Sequence, residues 1–319
     1  MNPDPTTPGT TTLRGHSMMA EPGHATDWRH LLAHEAAVES GLYDALPGTA
    51  AEVAERAGLG LDATRAVLGL LVVAGYATAT GTRFERVPQD PEAEALLVTQ
   101  ARALRRWSQV LGPRLRSRTA GPEAARPPAP LRLDTLAAVA RPVVGPVVRA
   151  CLNRLPAGSR VLDLGGGHGA FARGFAAQDV PVVLQDLPAV VDRVGPGLAA
   201  DGVQVHAGDL HEDLAPGPFG VVLLSTVTNM FNARLNRDLL AGVHDILVPG
   251  GSIAIVSYLR GRTPIADAFA VQMLCFSDGG DAHDEDVYRT WLGTAGFTDI
   301  EVNDLREPPQ SIVVATRSG

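Results

Sequence analysis

A chain of 319 residues with 45% hydrophobic and 19% charged side chains is sized and balanced for one large or two modest globular domains. A formal net charge of −8 at neutral pH excludes a general attraction to nucleic-acid backbones or anionic lipid. No segment reaches the roughly 18 uncharged apolar residues of a membrane span, and the first residues lack the apolar run of a signal peptide. The expectation is therefore a cytoplasmic protein with no membrane partner. Its two cysteines, Cys151 and Cys275, lie far apart in apolar company and read as reduced core thiols.

Residues 1–26 are rich in Pro, Thr and Gly, without periodicity, and are expected to form a disordered tail. Trp28, Leu31, Leu32, Ala36 and Val38 then recur at helical spacing, and Gly41 marks that helix's end. Thr49-Ala-Ala-Glu52 is a capping-box pattern opening a short helix that stops near Gly58. Asp62 is expected to cap a third helix, with Val67, Leu68, Leu71 and Val72 inward and Gly75 closing it. Residues 76–87 alternate loosely around Gly81, as in a two-stranded wing. Short helices followed by a hairpin make a winged helix over residues 27–95. Its would-be recognition helix offers Arg65 as the only basic side chain, whereas reading bases and phosphates needs several. A packing or dimerisation module is the better expectation, with no nucleic-acid partner.

Residues 92–115 read as a helix with Arg102, Arg105 and Arg106 on its polar side, and residues 120–130 as a Pro- and Ala-rich loop. A further helix over residues 133–155 should be kinked or interrupted at Pro142 and Pro146. Residues 96–155 thus form a helical linker. From Ser159 strands alternate with helices, the pattern of a parallel sheet with crossover helices over residues 156–319. Strands are expected at 160–164, 180–184, 203–206, 221–225, 252–258, 299–302 and 311–316, and helices at 170–177, 188–194, 236–246 and 284–295. Pro249-Gly-Gly251 reads as a tight turn feeding the fifth strand.

The first of these strands runs into Gly165-Gly-Gly-His-Gly169 and then a helix. Glycines there let the backbone turn sharply and approach a ligand, at a helix N-terminus expected to offer free amides. The spacing Gly165-x-Gly167-x-x-Ala170 also satisfies a loose dinucleotide fingerprint, so the loop alone does not choose between NAD and S-adenosyl-L-methionine. Three carboxylates sharpen the choice. Asp163 can order the loop or engage a ligand ammonium, directly or through water. Asp186, ending the second strand, can accept from ribose hydroxyls, and Asp209, ending the third, from an adenine amino group. They suit a cationic ligand with a free ribose and suit a 2′-phosphate badly. Each can alternatively cap a following helix, Asp209 above all.

On these residues the chain resembles the small-molecule O-methyltransferases typified by plant caffeic acid methyltransferases and bacterial polyketide and antibiotic methyltransferases. The likeness spans residues 27–316. It is carried by the winged-helix part, the glycine loop, Gln185-Asp-Leu-Pro188, Gly208-Asp209, Val248-Pro-Gly-Gly251 and Leu292-Gly-Thr-Ala-Gly-Phe297. The resemblance implies an α/β fold: a Rossmann-like class I methyltransferase domain behind a mainly helical N-terminal domain. It also implies S-adenosyl-L-methionine as cofactor, a homodimer made through the N-terminal domain, and a small-molecule substrate held between the domains. Cofactor contacts would come from Asp163, Gly165, Gly167, Asp186, Leu187, Asp209, Leu210 and Ser225, with Phe231 near the adenine. Asn229, Met273 and Phe276 would line the substrate pocket.

The sequence departs from that pattern where chemistry is expected. Relatives that methylate phenols carry a His-Asp-Trp run after the fourth strand, the His acting as general base, but here the run reads Thr228-Asn-Met-Phe231. Asn229 cannot take a proton near neutrality, although it can orient a substrate. The two supporting acidic positions fall on Ser257 and Ala282. Three explanations stand open. The substrate can be acidic enough to ionise unaided, with positioning at the sulfonium supplying most of the rate. His283 can serve as a relocated base, with Tyr288 and His211 as weaker candidates. Or the cofactor serves a non-methylating reaction (hydroxylation, decarboxylation or cyclisation), or methylation of carbon or nitrogen. No pair of His or carboxylates stands at metal-ligand spacing near Asn229, so no metal is expected.

Overall fold

The computed structural model describes residues 28–116, 133–277, 279–305 and 309–319. The expected tail over 1–26 and the loop over 120–130 lie outside the described residues. The N-terminal elements are α1 (Trp28–Glu39), β1 (Gly48–Thr49), α2 (Ala50–Ala57), α3 (Leu61–Val73), β2 (Ala77–Thr80) and β3 (Arg83–Arg86). The capping box forms as its sequence requires. Thr49 Oγ1 accepts from Glu52 N at 3.3 Å, and Glu52 Oε2 accepts from Thr49 N at 2.8 Å. Two expectations need correction. Asp62 does not cap α3, whose N-cap is Gly60; it sits in the first turn, 3.5 Å from Arg65. The wing has a third strand, because β1 pairs with β3 in the order β1-β3-β2.

α4 (Pro91–Arg116) and α5 (Leu133–Leu152) follow. Arg102 and Arg105 are not simply solvent-facing, since they reach the buried carboxylate of Glu35 on α1 at 3.8 and 2.8 Å. Burying a carboxylate costs several kcal/mol unless paired, so these arginines fix how α4 sits on α1. α5 runs on through Pro142 and Pro146, and the expected interruption does not occur. Val143, Val147, Val148 and Cys151 bury that helix against the sheet behind it.

That sheet is built from β4 (Val161–Leu164), β5 (Val182–Asp186), β6 (Gln204–Ala207), β7 (Phe219–Ser225), β8 (Leu247–Ser257), β9 (Phe297–Asp304) and β10 (Ser311–Arg317). The helices between are α6 (Ala170–Ala176), α7 (Pro188–Ala200), α8 (Ala233–Ile246), α9 (Pro264–Phe276) and α10 (Glu285–Thr294). Strand order is β6-β5-β4-β7-β8-β10-β9; β4 to β8 pair in parallel and β10 is antiparallel to both its neighbours. Its strands read as apolar runs because both faces are covered. Leu162, Leu164, Val222 and Leu224 meet α8 and α10, while Val161, Leu184, Val221 and Leu223 meet α5 and α6.

Pro249-Gly-Gly251 is a correction of another kind. It lies inside β8 as an irregularity, the register jumping from Phe219↔Leu247 to Val221↔Ser252. α9 was not expected at all. The strand order reverses between β4 and β7, so a crevice opens beyond their C-terminal ends, where a sheet of this topology takes its ligand. Among the described residues no helix is long and apolar enough to cross a membrane.

Candidate active site

The glycine loop lies at the floor of that crevice. Gly165 and Gly166 donate their N–H groups to the Gln185 carbonyl at 2.8 and 3.2 Å, pinning the loop to the end of β5. A Cβ on Gly166 would stand 2.6 Å from Leu184 Cδ1 and 2.8 Å from Asp163 Cγ, so only glycine seats the loop flush on the sheet. Gly167 differs. Its φ is +51°, and a Cβ there would meet nothing nearer than Asp186 Oδ2 and Leu133 Cδ2 at 4.0 Å. That hollow is the open rim of the crevice.

Asp186 closes one side of it. Oδ2 accepts from Gly167 N at 2.8 Å and Oδ1 from Leu187 N at 2.7 Å. Burial pushes its carboxyl up while these two amides pull it down. Each oxygen keeps a second lone-pair site, the capacity a ribose diol needs. Leu187 is half exposed beside it. Asp209 caps the turn after β6, its Oδ1 accepting from His211 N at 2.8 Å. Leu210 and Phe231 are partly buried alongside, and the Phe231 ring meets the edge of His211 with centroids 4.5 Å apart.

Asp163 lies deeper than the other two carboxylates. It is fully buried beneath the loop, with Oδ2 accepting from Ala172 N at 3.1 Å and Oδ1 unpartnered among the described residues. Burial pushes its carboxyl up to about 7, against the pull of the Ala172 amide, and the nearby Asp186 charge adds to the rise. The bond from the Ala172 amide lets Asp163 order the loop from beneath. Two of the expected free amides are likewise taken. Ala170 N donates to His168 Nδ1 at 3.0 Å and Ala172 N to Asp163, so the protein itself caps the first turn of α6. Burial holds His168 down at about 4, so its ring is neutral and accepts at Nδ1.

The acceptor side begins where β7 ends at the half-buried Ser225. Thr226 follows with φ +59°, a region that β-branched residues rarely enter. The turn lays Val227 over Gly165, whose Cβ, if present, would fall 2.7 Å from Val227 Cγ2. A 3-10 turn, Thr228–Met230, carries Asn229, which is fully buried. Asn229 Nδ2 donates to the Asp281 carbonyl at 3.0 Å, and Oδ1 accepts from Ser257 Oγ at 2.9 Å. Tyr288 OH donates to Ser257 Oγ at 3.2 Å and pairs with Thr228 Oγ1 at 2.7 Å. The Thr228–Tyr288–Ser257–Asn229 chain is therefore closed, and none of its members takes a proton near neutrality. Burial pushes the Tyr288 phenol further up.

His283 packs toward α10 and α8. Its ring packs edge-on against Trp291 at 4.7 Å, and Nε2 lies 3.4 Å from Asn236 Nδ2 on α8. Burial lowers its imidazole, while the Asp281 charge and the Phe231 and Thr228 carbonyls work the other way. The ring thus braces the Thr228–Phe231 turn from the side of α8 and α10. Met273 belongs to a separate cluster with Tyr258, Ile265, Phe269 and Ala282, and Phe276 is half-buried at the end of α9. Sequence reasoning missed the left-handed Thr226 and the contact between positions 229 and 257.

Comparison with known proteins accords with this geometry. Residues 137–298, half of the chain, match the O-methyltransferase domain family. Over 146 residues the chain is 32% identical to 3-amino-4-hydroxybenzoate 4-O-methyltransferase of Streptomyces cremeus, covering 43% of this chain and 40% of that protein. It is 28% identical to 3-hydroxy-5-methyl-1-naphthoate 3-O-methyltransferase of Streptomyces sahachiroi, covering 49% and 48%. The chain spans less than half the length of these curated relatives. Human N-acetylserotonin methyltransferase, solved in complex with SAM, shares the fold with a TM-score of 0.74 at 20% identity, covering 92% of this chain and 95% of that one. By its matched residues the chain belongs to the O-methyltransferase domain family.

Proposed function

We propose that this chain binds S-adenosyl-L-methionine in the crevice beyond β4, β5 and β7 and methylates a ring oxygen of a small hydroxy-aromatic acid of secondary metabolism. The observation that carries the proposal is the Asp186 carboxylate at the end of β5, latched to the Gly167 amide of the glycine loop with a second lone-pair site left on each oxygen. Asp186 and Leu187 would hold the ribose, Asp209 and Leu210 the adenine with Phe231 beside it, and Gly165, Gly167 and Ser225 the rest. When bound, the cofactor supplies an electrophilic methyl on a sulfonium. Asp163 acts only through the loop it underpins.

Substrate class is supported by two of the curated relatives, whose named substrates are a hydroxybenzoate and a hydroxynaphthoate. The acceptor side supports an oxygen that arrives ionised, since the chain from Thr228 to Asn229 is neutral and internally satisfied. In this reading Asn229 and His283 are positioning residues. They hold the turn that faces Met273 and Phe276, and neither takes the acceptor's proton. Transfer of label from methyl-labelled S-adenosylmethionine to a hydroxy-aromatic acid tests the proposal. An altered but unlabelled product would replace it with the non-methylating reading, and label on carbon or nitrogen would move the acceptor atom.

We further propose that residues 27–95 form a dimerisation unit, 96–155 a linker lining the pocket and 156–319 the cofactor domain, in a cytoplasmic homodimer. Trp28 and Val38 on α1 and Leu104 on α4, all exposed apolar groups on two helices packed together, support the dimer. Sedimentation equilibrium at twice the chain mass is the expected result, and a monomer at micromolar concentration contradicts it.

A further inference from the structure

α4 turns one face to α9. Arg106 Nε donates to the Cys275 carbonyl and Arg114 Nη2 to the Ser277 carbonyl, each at 3.3 Å. Trp107 stands next to Arg106 and seven residues before Arg114, and seven residues return a helix to within about 20° of the same direction. Its indole therefore leaves α4 on the α9 side, the side of Met273 and Phe276. Val110, one turn on along that face, is buried.

The indole Nε1–H is buried and has no acceptor among the described residues. An indole nitrogen only donates, so rotation cannot turn the mismatch into an acceptance. Native structures leave few buried donors unpaired, and a bound ligand is one of the standard resolutions. In the Thr228–Tyr288–Ser257–Asn229 chain, by contrast, every polar side-chain atom has a partner. The hydroxy-aromatic acid proposed as substrate brings a carboxylate that can accept from this N–H.

We propose that Trp107 is a substrate-specificity residue, its indole N–H donating to the carboxylate of a hydroxy-aromatic acid seated between α4 and α9. This rests on the function proposed above and assigns the group that selects the substrate. A hydrogen bond to a charged acceptor, once lost, should weaken binding roughly ten- to hundredfold.

The test is calorimetry on the full chain saturated with S-adenosylhomocysteine, with 3-hydroxy-2-naphthoate and 2-naphthol as probes. Wild type should bind the naphthoate at least roughly tenfold more tightly than the naphthol. Trp107→Phe should remove most of that difference and leave the naphthol and S-adenosylhomocysteine affinities unchanged. Equal weakening of both probes would mean a packing role and overturn the proposal, as would a wild type that does not distinguish them. Should Trp107→Phe not fold, nitrogen-15 indole spectra of wild type, assigned by triple resonance, decide. The Trp107 N–H should move downfield with the naphthoate and stay put with the naphthol; an unmoved resonance overturns the proposal. Failure of S-adenosylhomocysteine to bind would sink the parent reading instead. Methyl transfer confined to phenols without a carboxylate would sink this proposal and the acid named in the parent reading, and would keep only its cofactor and its oxygen acceptor.

Discussion

The two sides of the crevice differ in what they keep charged. On the cofactor side Asp186 and Asp209 end successive strands and Asp163 lies beneath the loop. On the acceptor side, a few residues away across β7, the corresponding cluster is an amide, two hydroxyls and a phenol in a buried chain. A low-dielectric site raises the cost of any unpaired charge, so a neutral chain can be wholly buried where an acid–base pair would need room and partners. The contrast separates binding the cofactor, which needs fixed acceptors, from moving a proton, for which the Thr228–Tyr288–Ser257–Asn229 chain itself holds no group that titrates near neutrality.

The largest effect that can break the contrast is at the loop. Gly166→Ala forces a Cβ against Leu184 and Asp163, and should destabilise the fold by about 1–3 kcal/mol, read as a lowered Tm. An unchanged melt would mean the loop is not seated as described. Asp186→Ala should come next, weakening S-adenosylhomocysteine binding by roughly ten- to hundredfold in calorimetry, with a melt lowered by the two stranded amides. Retained affinity would remove Asp186 from its role.

Ser257→Ala tests the other side. It strands Asn229 Oδ1 and a Tyr288 donor and should cost about 1–2 kcal/mol of stability, without altering the pH dependence of turnover. A shifted pH profile would show a proton path through the chain. The last effect concerns Asp163 and is read as a change of slope with pH. Its folded carboxyl titrates near 7, above the ordinary 3.8, so its stabilising contribution is full below the ordinary value and is lost as pH rises through 7. Urea melts of Asp163→Asn should therefore lack part of the wild type's decline across that window. Identical slopes would place the Asp163 titration elsewhere.

Much of the fold could be read from the chain because local and global signals agree. The capping box at Thr49 and the apolar runs of β4, β5, β7 and β8 each name their element. α9 escaped because Pro264–Phe276 is apolar nearly all round, so no periodicity marks it as a helix. The prolines of α5 misled because tertiary packing of Val143, Val147 and Val148 outweighs a local break. In the site, the glycine loop and Asp186 were legible, since strand–loop–helix order fixes where they fall. The burial of Asp163 was not, because it depends on Ala172 and the loop closing over it. Asn229 was visible as a departure, but its contact with Ser257 joins residues 28 apart in sequence, on β8 and the β7 turn, and only the fold shows it.

The pH dependence of kcat/KM with two hydroxy-aromatic acids whose ring hydroxyls differ in acidity tests the central claim most directly. If the acceptor arrives ionised and the protein supplies no base, the inflection should follow each substrate's own hydroxyl pKa and move when the substrate is changed. A single inflection common to both substrates, belonging to the enzyme, would contradict it.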